Sequence, residues 1–358
     1  MRTMNSLRVG STLVACALAL TAAVAARADV STERPGSILI FPKVIADGTR
    51  DTIIQISNIS TMTAHAHCFY VDGSRDPNTL QPRWQETDFN IWLTRLQPTH
   101  WQVSAGRPVD FTDDNDGLDP GAVPPATAGF QGELLCVQVD SSGPSAGNSL
   151  IGDATLKNAQ SGDVSKYNGL AIKAVNGSDD DLLLLNDTVA NEADGSAEYN
   201  GCPRALQFAG VRDLDVDPVL GSGSVSRSFM TLIPCSADFE NLVPASVSVS
   251  VNRIDEFENQ LSFDGALNVT CWRELALGGS GSVFGSYFSG APTQFYTAIL
   301  TPNSQVGLLG VFDSVVTDSN SNSATSSINM SQLGADKASN LPATGPAGSP
   351  ASIRISGE

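Results

Sequence analysis

The run AHAHCFYVDG sets His65 and His67 one residue apart. Alternate side chains of an extended strand share a face, so both imidazoles would stand on the same side. Several zinc and iron sites use that spacing. Such a site needs further ligands, and the remaining histidine is His100, beside Trp101. Two histidines on the wetted side of a strand need no metal, which is the simpler reading.

Calcium is the better inorganic expectation, since it takes oxygen ligands from acidic loops. TDDNDGLD places Asp114 and Asp116 at the third and fifth positions of a D-x-D-x-D-G loop ending at Gly117, with Asp119 just beyond. Thr112 holds the first position and Val123 the place of the closing Glu, so the match is partial. RDLDVDP adds Asp213, Asp215 and Asp217, and GSDDDL and EADGSAE are further acidic turns. No cofactor is required by these runs. Solvated turns that keep an acidic chain in solution account for each of them more simply.

Asp255, Glu256 and Glu258 offer the paired carboxylates of a glycoside hydrolase, which makes a secreted polysaccharide hydrolase the contrasting expectation. The glycine-rich runs GSGS and GGSGS lack both the G-x-S-x-G elbow and a P-loop lysine. Of the four tryptophans, Trp84, Trp92, Trp101 and Trp272, only Trp92 falls out of phase with apolar neighbours, here Ile91 and Leu93. It is therefore the one expected to contact a ligand.

The elements that must carry these residues read as strands. GSILIFPKVIADG and RDTIIQISNIS are β-branched runs split by Asp47-Gly48, and Ile54 and Ile56 alternate with Gln55 and Ser57. Val247, Val249 and Val251 alternate with serines in the same way. Glycine, proline, serine and asparagine punctuate the text densely, as in short strands joined by turns. The expected fold class is all-β: two immunoglobulin-like β-sandwich domains in tandem, over 29–190 and 191–318, with a disordered Ser/Ala/Pro-rich tail over 319–358.

MRTMNSLRVGSTLVACALALTAAVAARA has Arg2 and Arg8 before an apolar run and ends Ala26-Arg27-Ala28, the pattern of a signal peptide over 1–28. LVAC at Cys16 is a rival lipoprotein box, but the apolar run continues well past it. The expectation is export to the periplasm, cell surface or medium, with no transmembrane span after cleavage. LPATG, inside the tail, matches a sortase motif, but the polar residues after it cannot hold a membrane. From Asp29 onward 17 basic residues face 38 acidic ones, a balance of −21, which excludes nucleic acid as a partner and leaves an extracellular or envelope partner of unknown kind.

Five cysteines follow the leader, and an exported chain meets oxidising surroundings. Their distribution between the halves suggests Cys68 with Cys136 and Cys235 with Cys271, leaving Cys202 as a free thiol, although sequence does not fix connectivity.

Blocks spread over most of the chain, among them GSILIFPKVIADGTRDTIIQISN, AHCFYVDG, IWLTRLQPTHW, GELLCVQVD, GDVSKYNGLAI, EYNGCP, LIPCSADFEN, DEFENQLSF and VTCWREL, resemble a family of exported bacterial β-rich proteins. The resemblance implies export and a shared β-rich body, and it makes Cys235 and Cys271 framework positions. It carries over no activity, ligand or catalytic residue. The functional expectation is a non-catalytic surface or extracellular binding or structural module.

Overall fold

The structure is a computed structural model, and it describes residues 30–79, 81–109, 118–176, 178, 180–185, 198–217, 219–304, 306–333 and 351–355. Among them there is no α-helix. The first half contains β1 (Val30–Ser31), β2 (Ile38–Ala46), β3 (Arg50–Asn58), β4 (Ala64–Asp72), β5 (Gln85–Leu93), β6 (Pro98–Gln102), β7 (Phe130–Asp140), β8 (Gly143–Pro144), β9 (Leu150–Asn158), β10 (Val164–Asn168), β11 (Leu170–Ile172) and β12 (Leu182–Leu184). The main path runs β10-β9-β3-β2-β7-β4-β5. β2 and β3 touch only at Ala46 and Asp51, where the path folds over into two layers. Between the layers lie Leu39, Phe41, Ala66, Tyr70, Ile91 and Leu134 from one side and Ile54, Ile56, Trp101, Ala154 and Tyr167 from the other. Period 2 explains β3, whose Ile54 and Ile56 are buried while Gln55 is exposed.

The second half contains β13 (Ala205–Val211), β14 (Val225–Pro234), β15 (Ala237–Asp238), β16 (Ser246–Asp255), β17 (Gln260–Ser262), β18 (Leu267–Thr270), β19 (Arg273–Ala276), β20 (Phe295–Pro302), β21 (Leu308–Thr317), β22 (Ser323–Asn329), β23 (Ser331–Leu333) and β24 (Ser352–Arg354). One sheet runs β17-β16-β20-β13-β23 and the other β19-β14-β21-β22. Val247, Val249 and Val251 of β16, with Phe208, Phe288, Leu300 and Phe312, fill the space between them. The protein is thus all-β and built from two β-sandwiches.

The two sandwiches share a third core. β2, β4 and β7 are buried along nearly their whole length, so their second faces are covered too. Ile38, Ile40, Phe69, Val71, Leu135 and Val137 of the first half meet Ile233, Phe239, Trp272, Leu309 and Ile353 of the second. Gly73 permits the approach, because a Cβ there would lie 2.3 Å from the Trp272 Cβ. The expected boundary near residue 190 lies outside the described residues.

The tail expectation is corrected where the structure describes it. β22 pairs with β21 along its whole length, β23 pairs with β13, and β24 joins β12 and β15 in a small sheet. Backbone pairing does not require apolar side chains, so a Ser/Asn-rich strand can form on an edge. Ala351, Ile353 and Ile355 alternate and are all buried, a period-2 signal inside the expected tail. LPATG and residues 1–28, the expected signal peptide, lie outside the described residues.

Cysteine pairing also differs. Cys68 and Cys136 are bonded, but they are direct neighbours on β4 and β7, with Cα atoms 4.0 Å apart. The bond therefore lies within one layer and does not join two sheets across the core. Cys235 pairs with Cys202, not with Cys271, and the free thiol is Cys271. Gly307 is packed against that second bond, where a Cβ would come within 2.3 Å of the Cys202 Cβ. Cys271 instead faces the first sandwich, its Sγ beside Gly73. Burial, with the Glu133 and Asp72 charges adding to it, raises the Cys271 thiol far above its ordinary range. Alkylation without denaturant is therefore expected to add no group to the folded protein, and alkylation in denaturant without reductant to add one, as read by intact mass. Three or five labelled thiols in denaturant would contradict the two disulfides.

Candidate functional site

β5 is the end of its sheet path, and its register with β4 sets Trp92 opposite His65 and Asn90 opposite His67. Ile91 and Leu93 point into the core, so Trp92 must point out, and it is 46% exposed. Trp101 and Trp272 are buried. The Trp92 indole stacks on the His65 ring at 4.5 Å between centroids, with 11° between the planes. His65 Nε2 hydrogen-bonds Asn90 Oδ1 at 2.9 Å. The Trp92 backbone N–H donates to Pro120 O, and a Cβ on Gly121 would touch the indole at 3.4 Å, so the loop after 118 braces one side of the ring. The result is a broad, braced aromatic plate on an edge strand, of the kind that can stack on a flat apolar ligand face.

His67 lies deeper and bonds Asp88 Oδ2 through Nε2 at 3.1 Å. The two histidines share a face as expected, but each serves a neighbour on β5. Among the described residues no group of three or more His, Cys, Asp or Glu side chains could hold a metal ion.

The acidic candidates are dispersed. Asp114 and Asp116 lie outside the described residues. Asp119 receives Arg107 Nη1 at 3.1 Å and the Gly121 N–H at 2.7 Å. Asp213 accepts the Ser228 N–H, and burial raises its carboxyl above its usual range. Asp215 is fully in solvent and meets Arg227 at 3.1 Å. Asp217 accepts the Val219 and Leu220 N–H groups and the Ser226 hydroxyl. Asp213 and Asp215 both face Arg227, at 4.0 and 3.1 Å, while Asp217 is taken up by its own turn. Asp255 closes the turn between β16 and β17 by accepting the Phe257 and Asn259 N–H groups. Glu258 sits in that turn at φ 62°. The hydrolase carboxylates are therefore turn residues of one hairpin.

Sequence reasoning missed the polar groups buried between the sandwiches. Lys43 is 5% exposed, and its Nζ donates to Glu274 Oε1 and Asp313 Oδ2, each at 2.6 Å. Arg50 adds two bonds of 3.2 Å to Glu274. Burial works to lower the Lys43 ammonium, but the two carboxylates outweigh it and raise it. Burial likewise works to raise Glu274, but Lys43 and Arg50 hold it below the usual carboxylate range. A small cavity of about 240 Å³ adjoins the cluster. The signal was available: a lysine inside the apolar run ILIFPKVIA must find a partner if the strand is buried.

Glu133, on β7, is the opposite case. It is 5% exposed, and burial pushes its carboxyl up to about 8. Glu86 stands across Val71 from it and is raised to about 7 by burial and by Asp88.

No helix among the described residues is long and apolar enough to cross a membrane. No family model matches the chain, and no curated protein matches it. Among solved structures it is similar to red sea bream transglutaminase at 10% identity, over 83% of this chain and 31% of that one, with a TM-score of 0.13. A likeness that slight leaves the reading of this chain to its own residues.

Proposed function

We propose that this is an exported, non-catalytic binding module that engages an extracellular or envelope ligand through Trp92. The observation that carries the reading is the half-exposed indole stacked on His65 and braced by the loop at Gly121. Two disulfides support an oxidising compartment, as do the expected leader and the resemblance to exported bacterial β-rich proteins. A rigid plate on a braced edge loses little entropy on binding, which favours a stacking ligand such as a sugar ring.

A glycan array with wild-type and Trp92→Ala proteins tests it. Binding to at least one glycan class is expected, with about tenfold weaker binding by the variant, because one aromatic stacking contact is worth about 1 kcal/mol or slightly more. Glycan binding that ignores Trp92, or none by either protein, would overturn the proposal.

A further inference from the structure

The cleft on the other side of the interface is lined by an unusual share of the chain's few cations. It measures about 660 Å³ and lies between the turn at Gly73 and Ser74, residues 128–131, β19 and the loop at Gly281–Val283. Three arginines line it: Arg75 and Arg83 from the first sandwich and Arg273 from the second. A chain with 38 acidic and 20 basic residues has no statistical reason to converge three arginines on one opening. Burial lowers the Arg273 guanidinium, and the Arg75 charge beside it lowers it further, so like charges are held together here.

Two carboxylates lie nearby. Glu274 lines the cleft, but its oxygens receive Lys43 and Arg50. Asp76 is within electrostatic reach of Arg83 without forming an ion pair with it, and its Oδ1 accepts the Asn78 and Thr79 N–H groups of its own turn. Among the described residues neither Arg83 nor Arg273 forms an ion pair, and the one side-chain bond of Arg273 goes from Nη1 to the Asn268 carbonyl. Guanidinium groups are planar forks that match carboxylate and phosphate oxygens in pairs. Gln131 and Ser74 add neutral polar groups, and Leu275 and Val283 give an apolar wall.

We infer that this cleft binds a small anion carrying two or more carboxylate or phosphate groups, which bridges Arg83 of one sandwich and Arg273 of the other. The site is separate from Trp92, so it stands or falls independently of the ligand proposed there.

Calorimetric titration with citrate and with pyrophosphate, at matched ionic strength, tests it on the folded protein. At least one should bind, and Arg83→Gln and Arg273→Gln should each weaken that binding about tenfold or more. Arg95→Gln, on an exposed turn of the first sandwich, should leave it unchanged. Arg273→Lys should bind with intermediate affinity, since it keeps the charge and loses the fork. The bound anion should also raise the melting temperature. Citrate alone would assign carboxylates, pyrophosphate alone phosphates. No binding of either, or equal binding by the Arg95 and Arg273 variants with circular dichroism unchanged, would overturn the inference.

Discussion

Replacing Lys43 by Met is expected to destabilise the protein by about 3 to 5 kcal/mol, because it leaves buried carboxylates without their cation. Asp313 and Glu274 each accept a 2.6 Å bond from the Lys43 ammonium, and Asp313 is as buried as the lysine. Arg50 would still neutralise part of Glu274, but among the described residues no arginine bonds Asp313. Chemical denaturation should show the loss as a lower midpoint. Adding Asp313→Asn and Glu274→Gln to the same chain should recover much of it, since a neutral, packed triad escapes the cost of stranded charge. A Lys43→Met protein within about 1 kcal/mol of wild type would show that the cluster is solvated and does not hold the sandwiches together.

Glu133 is expected to make the protein less stable as the solution becomes basic. Its carboxyl ionises near its ordinary value of 4.5 in the unfolded chain and near 8 in the folded one, because it is buried with no cation beside it. Between those values the unfolded state has released the proton and the folded state still holds it. Stability therefore falls as pH rises from about 4.5 to about 8 and levels off above, by linkage. At about 1.4 kcal/mol per pH unit the full effect is on the order of 5 kcal/mol. Facing groups do not offset it: Asp72 is a further acid, burial keeps the Cys271 thiol neutral over this range, and Glu86 drifts in the same direction. The Glu133→Gln protein should thus outlast wild type in denaturant at pH 8, with the gap closing toward pH 5. A gap that stays constant with pH would mean that the carboxyl is solvated.

Both effects arise at the shared core, the part of the fold that the sequence hid best. Lys43 meets its partners 231 and 270 residues along the chain, and nothing local to β2 names them. Glu133 sits in FQGELLCVQVD, where alternation assigns it to the face opposite Leu134 and Cys136. A single sandwich would leave that face wet and the carboxyl ordinary. Only the arrival of Trp272, Phe239 and Ile353 from the other half turns it into a core.

Residues 1 to 358 in order were enough for the all-β class, for strand faces such as Val247, Val249 and Val251, and for the outward direction of Trp92. Those properties depend on the two-residue period of a strand, which is local and readable in a window of a few residues. The partner of Cys235, the pairing of Ser352–Arg354 with β12 and β15, the charges around Lys43 and the arginines that line one cleft belong to tertiary structure. They depend on which distant segments the closing of two sheets brings within a few ångströms, and that is a long-range steric outcome no local pattern encodes.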